Sequence, residues 1–328
     1  MSRGDMPTDR SQTSSATAAS QPKIAVLLPC LNEGAAIAKV IGDFQTSLPD
    51  AEIFVYDNAS TDDTADVAAA AGAVVRKEIM RGKGNVVRRM FADIDADIYL
   101  MADGDGTYDA SGGPRLIQAL LDGPFDMVVG ARENIGSVSR SGHAFGNGLF
   151  NYLLARFFGQ GFEDIFSGYR VFSRRFAKSF PAVAKGFEIE TEMTVHALEL
   201  QIPVCEISLP YRDRIHGGES KLRTYRDGFR ILLKMLLMLK DVRPLLFFST
   251  FAAAFLILSI GLAAPILVEY LETGLVPRFP TAVLASAIGI LGFISLTSGI
   301  ILDNVARGKR EVKRIIFLAA GAAPGPSV

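Results

Sequence analysis

The stretch Asp97-Ile98-Tyr99-Leu100-Met101-Ala102-Asp103-Gly104-Asp105 is a short apolar run that ends on two aspartates separated by one glycine. An apolar run of this length, bounded by turn residues, reads as a buried strand over 98–102. Two carboxylates at a strand's end suit a hard divalent cation such as Mg²⁺ or Mn²⁺. Such ions take oxygen ligands from one or two protein carboxylates and complete the shell with substrate phosphates. Gly104 carries no Cβ and lets the backbone turn, so that both carboxylates can reach one ion. A polar turn capping a strand is the competing reading of Gly104-Asp105-Gly106-Thr107. The surroundings decide between them.

Working outward, 24–29 reads as a buried strand and 33–45 as a helix with Ile37, Val40, Ile41 and Phe44 on one face. A strand over 53–56 ends at Asp57-Asn58, after which Ser60-Thr61-Asp62-Asp63 is expected to open an alanine-rich helix with a hydroxyl as N-cap. A third strand is expected over 74–76 and a helix over 84–94. Beyond the aspartates come a helix over 114–121 and a strand over 127–129. This alternation implies an α/β domain with a mostly parallel sheet covered on both faces. Ligands of such sheets bind at the carboxyl ends of strands, where Asp57 and Asp103 both fall.

The chain has 328 residues and a formal net charge of −1, without the basic excess of a nucleic-acid binder. Residues 1–22 are rich in Ser, Thr, Ala and Gln and are expected to form a disordered tail rather than a secretory signal. Cys30 and Cys205, the only cysteines, show no disulfide or zinc spacing, which fits a reducing compartment. The segments 245–268 and 281–302 carry no charged residue, and each exceeds the roughly 20 residues needed to span a bilayer. They predict a transmembrane hairpin over 244–303, with Pro265 bending the first span. Lys234, Lys240 and Arg243 precede it, and Arg307, Lys309, Arg310, Lys313 and Arg314 follow it. That distribution predicts an integral inner- or plasma-membrane protein with both ends cytoplasmic and a basic cytosolic tail over 304–328. Between them, 223–243 mixes Phe229, Ile231, Leu232 and Met235 with Arg226, Arg230 and Lys234. It reads as a juxtamembrane amphipathic helix meeting anionic membrane lipid.

Three strings carry a resemblance: Leu28-Pro29-Cys30-Leu31-Asn32-Glu33, then Asp57-Asn58-Ala59-Ser60-Thr61-Asp62-Asp63-Thr64, then Asp103-Gly104-Asp105. Together they resemble the family 2 glycosyltransferases of GT-A fold, here with a catalytic domain over 23–222. Asp164-Ile165-Phe166-Ser167-Gly168-Tyr169-Arg170 and Arg214-Ile215-His216-Gly217-Gly218-Glu219-Ser220-Lys221-Leu222 narrow the resemblance to the polyprenyl-phosphate glycosyltransferases, relatives of dolichol-phosphate mannose synthase. The resemblance implies a nucleotide-sugar donor, a polyprenyl phosphate acceptor and inversion at the anomeric carbon. By the same resemblance Pro29, Asn32, Glu33 and Asp57 line the nucleotide pocket, and Arg81 and Lys83 contact the nucleotide. Asp103 and Asp105 hold the metal on the donor diphosphate. Arg214, Ser220 and Lys221 belong to a loop that closes over phosphates, and Arg170 grips the acceptor's phosphate. Thr107 stands where the mannose synthases often carry glutamine, and Arg140 is the candidate for their arginine before the acceptor-side helix.

The chemistry is consistent with these assignments. A phosphate monoester, with its second pKa near about 6, is mostly dianionic at neutral pH and already carries a nucleophilic oxygen. It needs cationic positioning more than a base, so Asp164 is read as an orienting partner rather than an obligatory base. Glu190 and Glu192 are candidates for the sugar site, though acids in a first helical turn also simply stabilise it. A homo-oligomer is compatible with all of this. Two rival readings stay open: a family 2 transferase acting on another lipid or polysaccharide acceptor, and a non-catalytic membrane scaffold that keeps the nucleotide-binding fold.

Overall fold

The computed structural model describes residues 21–133, 162–186, 188–212, 237 and 239–321. Strand and helix alternate as the apolar runs dictate. β1 (Ile24–Cys30), α1 (Gly34–Ser47), β2 (Glu52–Asp57), α2 (Thr64–Ala70), β3 (Val74–Lys77), α3 (Lys83–Asp93) and β4 (Ile98–Met101) lead to α4 (Gly113–Asp122) and β5 (Met127–Arg132). Then come β6 (Arg170–Ser173), α5 (Arg174–Ser179), α6 (Ile189–Glu199) and β7 (Val204–Leu209), followed by two long helices, α7 (Pro244–Thr273) and α8 (Phe279–Ala319).

One seven-stranded sheet has the order β3-β2-β1-β4-β6-β5-β7, with β6 antiparallel to both neighbours in an otherwise parallel arrangement. Ala25 and Leu27 of β1 pack with Met90, Phe91 and Phe172 on one face, while Val26 and Leu28 pack with Ile37, Phe44 and Leu116 on the other. Covering both faces is why the parallel strands read as unbroken apolar runs. Register places the strand ends together. Cys30 pairs with Asp57 and Asp57 with Lys77, while Leu27 pairs with Met101 and Met101 with Arg170. Carried two residues further, the antiparallel register of β4 and β6 sets Asp103 opposite Gly168.

The two long helices pack against each other as a hairpin, joined through Gly274, whose left-handed backbone (φ 70°) ends α7. Ala285, Gly292, Gly299 and Ala306 are buried at seven-residue intervals along α8. A Cβ on Gly292 would meet Leu256 at 2.9 Å, and one on Gly299 would meet Phe248 at 3.0 Å, so small residues set how closely the helices approach. Ser259 Oγ donates to the Ala285 carbonyl at 2.8 Å and Ser295 Oγ to the Phe248 carbonyl at 3.1 Å. Ile257, Ile260, Leu267, Ile290, Phe293 and Ile294 face outward. Both helices are long and apolar enough to cross a membrane. α7 continues through Pro265 as one element.

α8 does not stop where its charges begin. It runs 41 residues, about 60 Å at 1.5 Å per residue, roughly twice a bilayer's hydrocarbon core. The basic stretch expected as a tail is therefore helical to Ala319, and it docks on the catalytic domain. Lys313 pairs with Glu199 at 2.6 Å, Arg314 donates to the Leu200 carbonyl at 2.5 Å, and buried Phe317 lies under the Arg175 guanidinium. The juxtamembrane helix expected over 223–243 falls mostly outside the described residues; at its end, Val242 is buried in the domain core.

Beneath this joint sits His196, whose Nε2 meets Ser179 Oγ at 3.1 Å between the rings of Phe176 and Phe180. Burial, with Lys313 adding to it, pushes the imidazole's pKa down to about 3. An unfolded histidine titrates near about 6.5, so between these values the unfolded chain binds a proton that the native state refuses. This contribution to stability is complete above about pH 6.5 and declines as pH falls, by up to about 1.4 kcal/mol per pH unit. His196→Phe should flatten the melting temperature against pH between about 6 and 4. An unchanged slope would assign the acid sensitivity to other groups.

Candidate active site

The loops after β1 and β2 are knitted by side chains. Asn32 adopts the left-handed conformation (φ 56°), which asparagine tolerates. Its side-chain oxygen accepts the Thr61 N–H at 2.8 Å, and its own N–H donates to Ser60 Oγ at 2.9 Å. Glu33 N–H donates to Thr64 Oγ1 at 2.9 Å and Gly34 N–H to Asp62 Oδ2 at 3.1 Å. The polar run 60–63 is thus not the capped first turn the sequence led us to expect. α2 begins at Thr64 without a side-chain cap, because the preceding side chains turn back to hold the Asn32 loop. Asp57, 5% exposed at the end of β2, accepts the Ser60 N–H at 3.2 Å, and Pro29 lies beside Tyr56 in the strand pairing. Asn58, which the sequence reading passed over, donates to the Glu78 and Met80 carbonyls and accepts the Gly82 N–H at 2.7 Å. It fixes the 78–82 loop against β2.

That loop carries Arg81 and Lys83. Arg81 donates to the Ala59 carbonyl at 3.3 Å. Gly82 takes φ 125°, and a Cβ there would stand 2.0 Å from the Lys185 carbonyl oxygen; one on Gly84 would stand 2.1 Å from that of Ala184. The glycines let the start of α3 lie directly on the 184–185 backbone. Lys83 extends from this contact to pair with Asp103 and, at 2.5 Å, with Glu190, itself 4% exposed. Burial works against the ammonium, but the two carboxylates outweigh it and hold Lys83's pKa above the ordinary lysine value. Gly168 makes room for this arrangement, since a Cβ there would stand 2.8 Å from Asp103 Oδ2 and 3.0 Å from Lys83 Nζ.

Asp105 is 7% exposed, and Thr107 donates to its Oδ1 through both N–H (3.1 Å) and hydroxyl (2.7 Å). The residue standing in place of a glutamine therefore orients the second aspartate. Left-handed backbone occurs at Gly106 (φ 76°), not at Gly104. Gly104 is small for another reason: a Cβ would lie 2.4 Å from Cys30 Sγ, so the Asp103–Asp105 segment rests on the end of β1. Among the described residues no group of three or more His, Cys, Asp or Glu side chains is placed to hold a metal. Two carboxylates one residue apart, in an all-oxygen donor set, suit a hard ion whose remaining ligands are phosphate oxygens.

On the far side of Gly168, Asp164 is buried and forms a two-point pair with Arg132 at the end of β5, Nε to Oδ2 at 2.6 Å and Nη2 to Oδ1 at 2.8 Å. Arg132 also lies over the Tyr211 ring, 5.3 Å from its centroid. The sequence reading did not single out Arg132; its signal was an arginine closing an apolar strand run, the same pattern as Asp57 and Asp103. The side chain that Asp164 holds is Arg132.

Burial redirects one candidate and hydrogen bonding another. Arg170 is 0% exposed and donates to the Ser167 and Ile165 carbonyls and to Thr194 Oγ1 at 2.9, 2.7 and 2.9 Å, so its guanidinium faces the core and not an acceptor. Burial pushes its pKa below the ordinary arginine value. Arg170→Met should leave acceptor dependence unchanged while lowering stability by about 3 kcal/mol or more, because buried carbonyls lose their donor. A raised acceptor KM at unchanged melting temperature would restore the sequence-based assignment. Glu192 accepts the Val183 and Ala184 N–H groups at 3.0 and 2.7 Å, which occupies both oxygens in holding the 183–185 loop under Gly82 and Gly84. Arg140, Arg214, Ser220 and Lys221 lie outside the described residues.

Comparison with known proteins fits this geometry. Residues 25–180 match glycosyl transferase family 2. The glycosyltransferase AglJ of Haloferax volcanii is 34% identical over 297 residues, 89% of this chain and 97% of that one. The chain belongs to glycosyl transferase family 2. Another relative in the family is the undecaprenyl-phosphate mannosyltransferase of Micrococcus luteus, 24% identical over 61% of this chain and 87% of that one. The fold is also that of glucosyl-3-phosphoglycerate synthase from Mycobacterium tuberculosis, solved with Mn²⁺, uridine diphosphate and glucosyl-3-phosphoglycerate. The TM-score is 0.55 at 25% identity, over 67% of this chain and 80% of the other. A family 2 glycosyltransferase fold, mostly parallel and flanked by helices, is thus joined here to a two-helix apolar hairpin.

Proposed function

We propose that this family 2 glycosyltransferase is anchored in the membrane by α7 and α8. On the cytosolic face it transfers a single sugar, with inversion, from a nucleotide-sugar donor to a polyprenyl phosphate. The observation that carries the reading is the outward-facing apolar hairpin continuous with an arm on the catalytic domain. The anchor keeps the cleft beside the interface where a lipid-borne phosphate lies, which raises its effective concentration. The undecaprenyl-phosphate acceptor in the name of the Micrococcus relative supports it. The basic residues flanking the hairpin support a cytosolic cleft.

In this reading Pro29, Asn32, Glu33 and Asp57 hold the nucleoside, while Arg81 and Lys83 meet the diphosphate. Asp103 and Asp105 hold Mg²⁺ or Mn²⁺. When bound, the ion supplies Lewis-acid stabilisation of the charge that grows on the departing diphosphate. Arg214, Ser220 and Lys221 add cationic and hydroxyl groups that stabilise the diphosphate's charge. Arg132, held by Asp164, replaces Arg170 as the acceptor-phosphate arginine, with Arg140 as its companion. The incoming phosphate oxygen is already anionic, so no side chain needs to remove a proton. Glu190 borders the sugar side of the diphosphate.

Glucosyl-3-phosphoglycerate synthase, which shares the fold, was solved with glucosyl-3-phosphoglycerate, a small soluble phosphorylated molecule, which makes a soluble acceptor the second reading. Purified protein given a panel of labelled nucleotide sugars decides between them. With polyprenyl phosphate the label should enter organic solvent and be released by mild acid. Equal labelling of a polyprenol without phosphate, or of phosphoglycerate in place of lipid, would overturn the assigned acceptor.

A further inference from the structure

Lys83 occupies an unusual position. Its ammonium bridges Asp103 on β4 and Glu190 on α6, and its side chain is 8% exposed. Glu190 Oε2 is buried with no hydrogen-bond partner among the described residues. Gly168 gives the cluster its space, because a Cβ there would stand within 3.0 Å of both Asp103 and Lys83. The carboxylate needed for a metal ion is therefore already neutralised by a cation of the protein's own. Without Lys83, buried Glu190 and the partly exposed Asp103 would face each other with Asp105 close in sequence, an excess of negative charge that another cation would relieve.

We propose that Lys83 is a placeholder cation, holding Asp103 in the donor-free enzyme and passing to the donor's diphosphate as the metal takes Asp103. This rests on the metal assignment above and adds an order of events to it. A bare divalent ion must compete with a buried ammonium for Asp103, whereas an ion arriving with a diphosphate brings the anion that the ammonium needs. Ion and nucleotide therefore enter as one unit. Glu190 keeps Lys83 within reach during the exchange, so the pocket is not left with an unpaired acid. The benefit is selectivity, because a cytosolic divalent ion alone does not fill and rigidify the empty site.

The test is Mn²⁺ binding to the full-length protein in detergent, followed by electron paramagnetic resonance, with and without UDP or GDP. Wild type should bind Mn²⁺ alone weakly and bind it much more tightly with the accepted diphosphate. Lys83→Met should tighten binding of Mn²⁺ alone by about tenfold or more, since a unit positive charge a few ångströms from the ion is gone. It should also shrink the enhancement by diphosphate. Lys83→Arg, which keeps the charge, should bind Mn²⁺ alone as wild type does, separating charge from packing. Lys83→Gln repeats the test if the methionine variant does not fold. Wild type that binds Mn²⁺ with diphosphate, beside neutral variants that bind bare Mn²⁺ no more tightly, would overturn the placeholder alone. Failure of every protein to bind Mn²⁺ even with UDP or GDP would overturn the metal assignment and the placeholder together.

Discussion

Asp105→Asn is expected to lower sugar transfer by about 10³-fold or more, with donor binding weakened and the fold intact. The reasoning starts from the side chain's surroundings. Thr107 donates twice to Asp105 Oδ1, and an asparagine oxygen can accept both bonds in the same place. What disappears is the negative charge that an ion on the diphosphate would require. Losing a single preorganised electrostatic contact to a developing anion costs roughly 10²–10³ in rate, and losing the ion costs more. Melting temperature and membrane insertion should match wild type. Turnover within a few-fold of wild type would remove Asp105 from the metal site.

The second large effect is expected at a glycine beside Lys83. Gly84→Ala places a methyl group 2.1 Å from the Ala184 carbonyl oxygen and 2.7 Å from its carbon. These are backbone atoms held from behind by Glu192, so they cannot swing aside. Either the first turn of α3 or the 183–185 loop must shift, and Lys83 moves with the former. A displacement near 1 Å at a positioning group can cost about 10²-fold in rate. Gly84→Ala should therefore lose about that much transfer activity, whereas Gly42→Ala, with nothing within 4 Å, should lose none. Equal activity of the two variants would show that the α3 contact does not position Lys83.

Much of this was legible in the sequence, and the physical reasons differ by element. Strands buried on both faces announce themselves as unbroken apolar runs, so β1, β2, β4 and their terminal carboxylates Asp57 and Asp103 were placed within a residue or two. Side-chain direction was not legible. Arg170 follows the Asp164–Tyr169 segment in sequence, but at the start of antiparallel β6 its side chain turns into the core, where three acceptors hold it. Arg132 and Asp164 are 32 residues apart, and only the pairing of β5 with β6 brings their elements together. The 60–63 run looked like a helix cap because Ser, Thr and Asp serve both purposes; whether they cap or staple depends on a loop about 30 residues earlier. The length of α8 was hidden for a similar reason. Charged residues after 302 end an apolar run but not a helix, and a docking surface on α5 and α6 allows the helix to continue.

The most direct measurement is a structure of the protein with Mn²⁺, the accepted nucleotide-sugar donor and a short polyprenyl phosphate. An ion seated among Asp103, Asp105 and the two donor phosphates, with the lipid phosphate held by Arg132, is the predicted result. A diphosphate bound without any ion at those aspartates, or a lipid phosphate lodged away from Arg132, would contradict it.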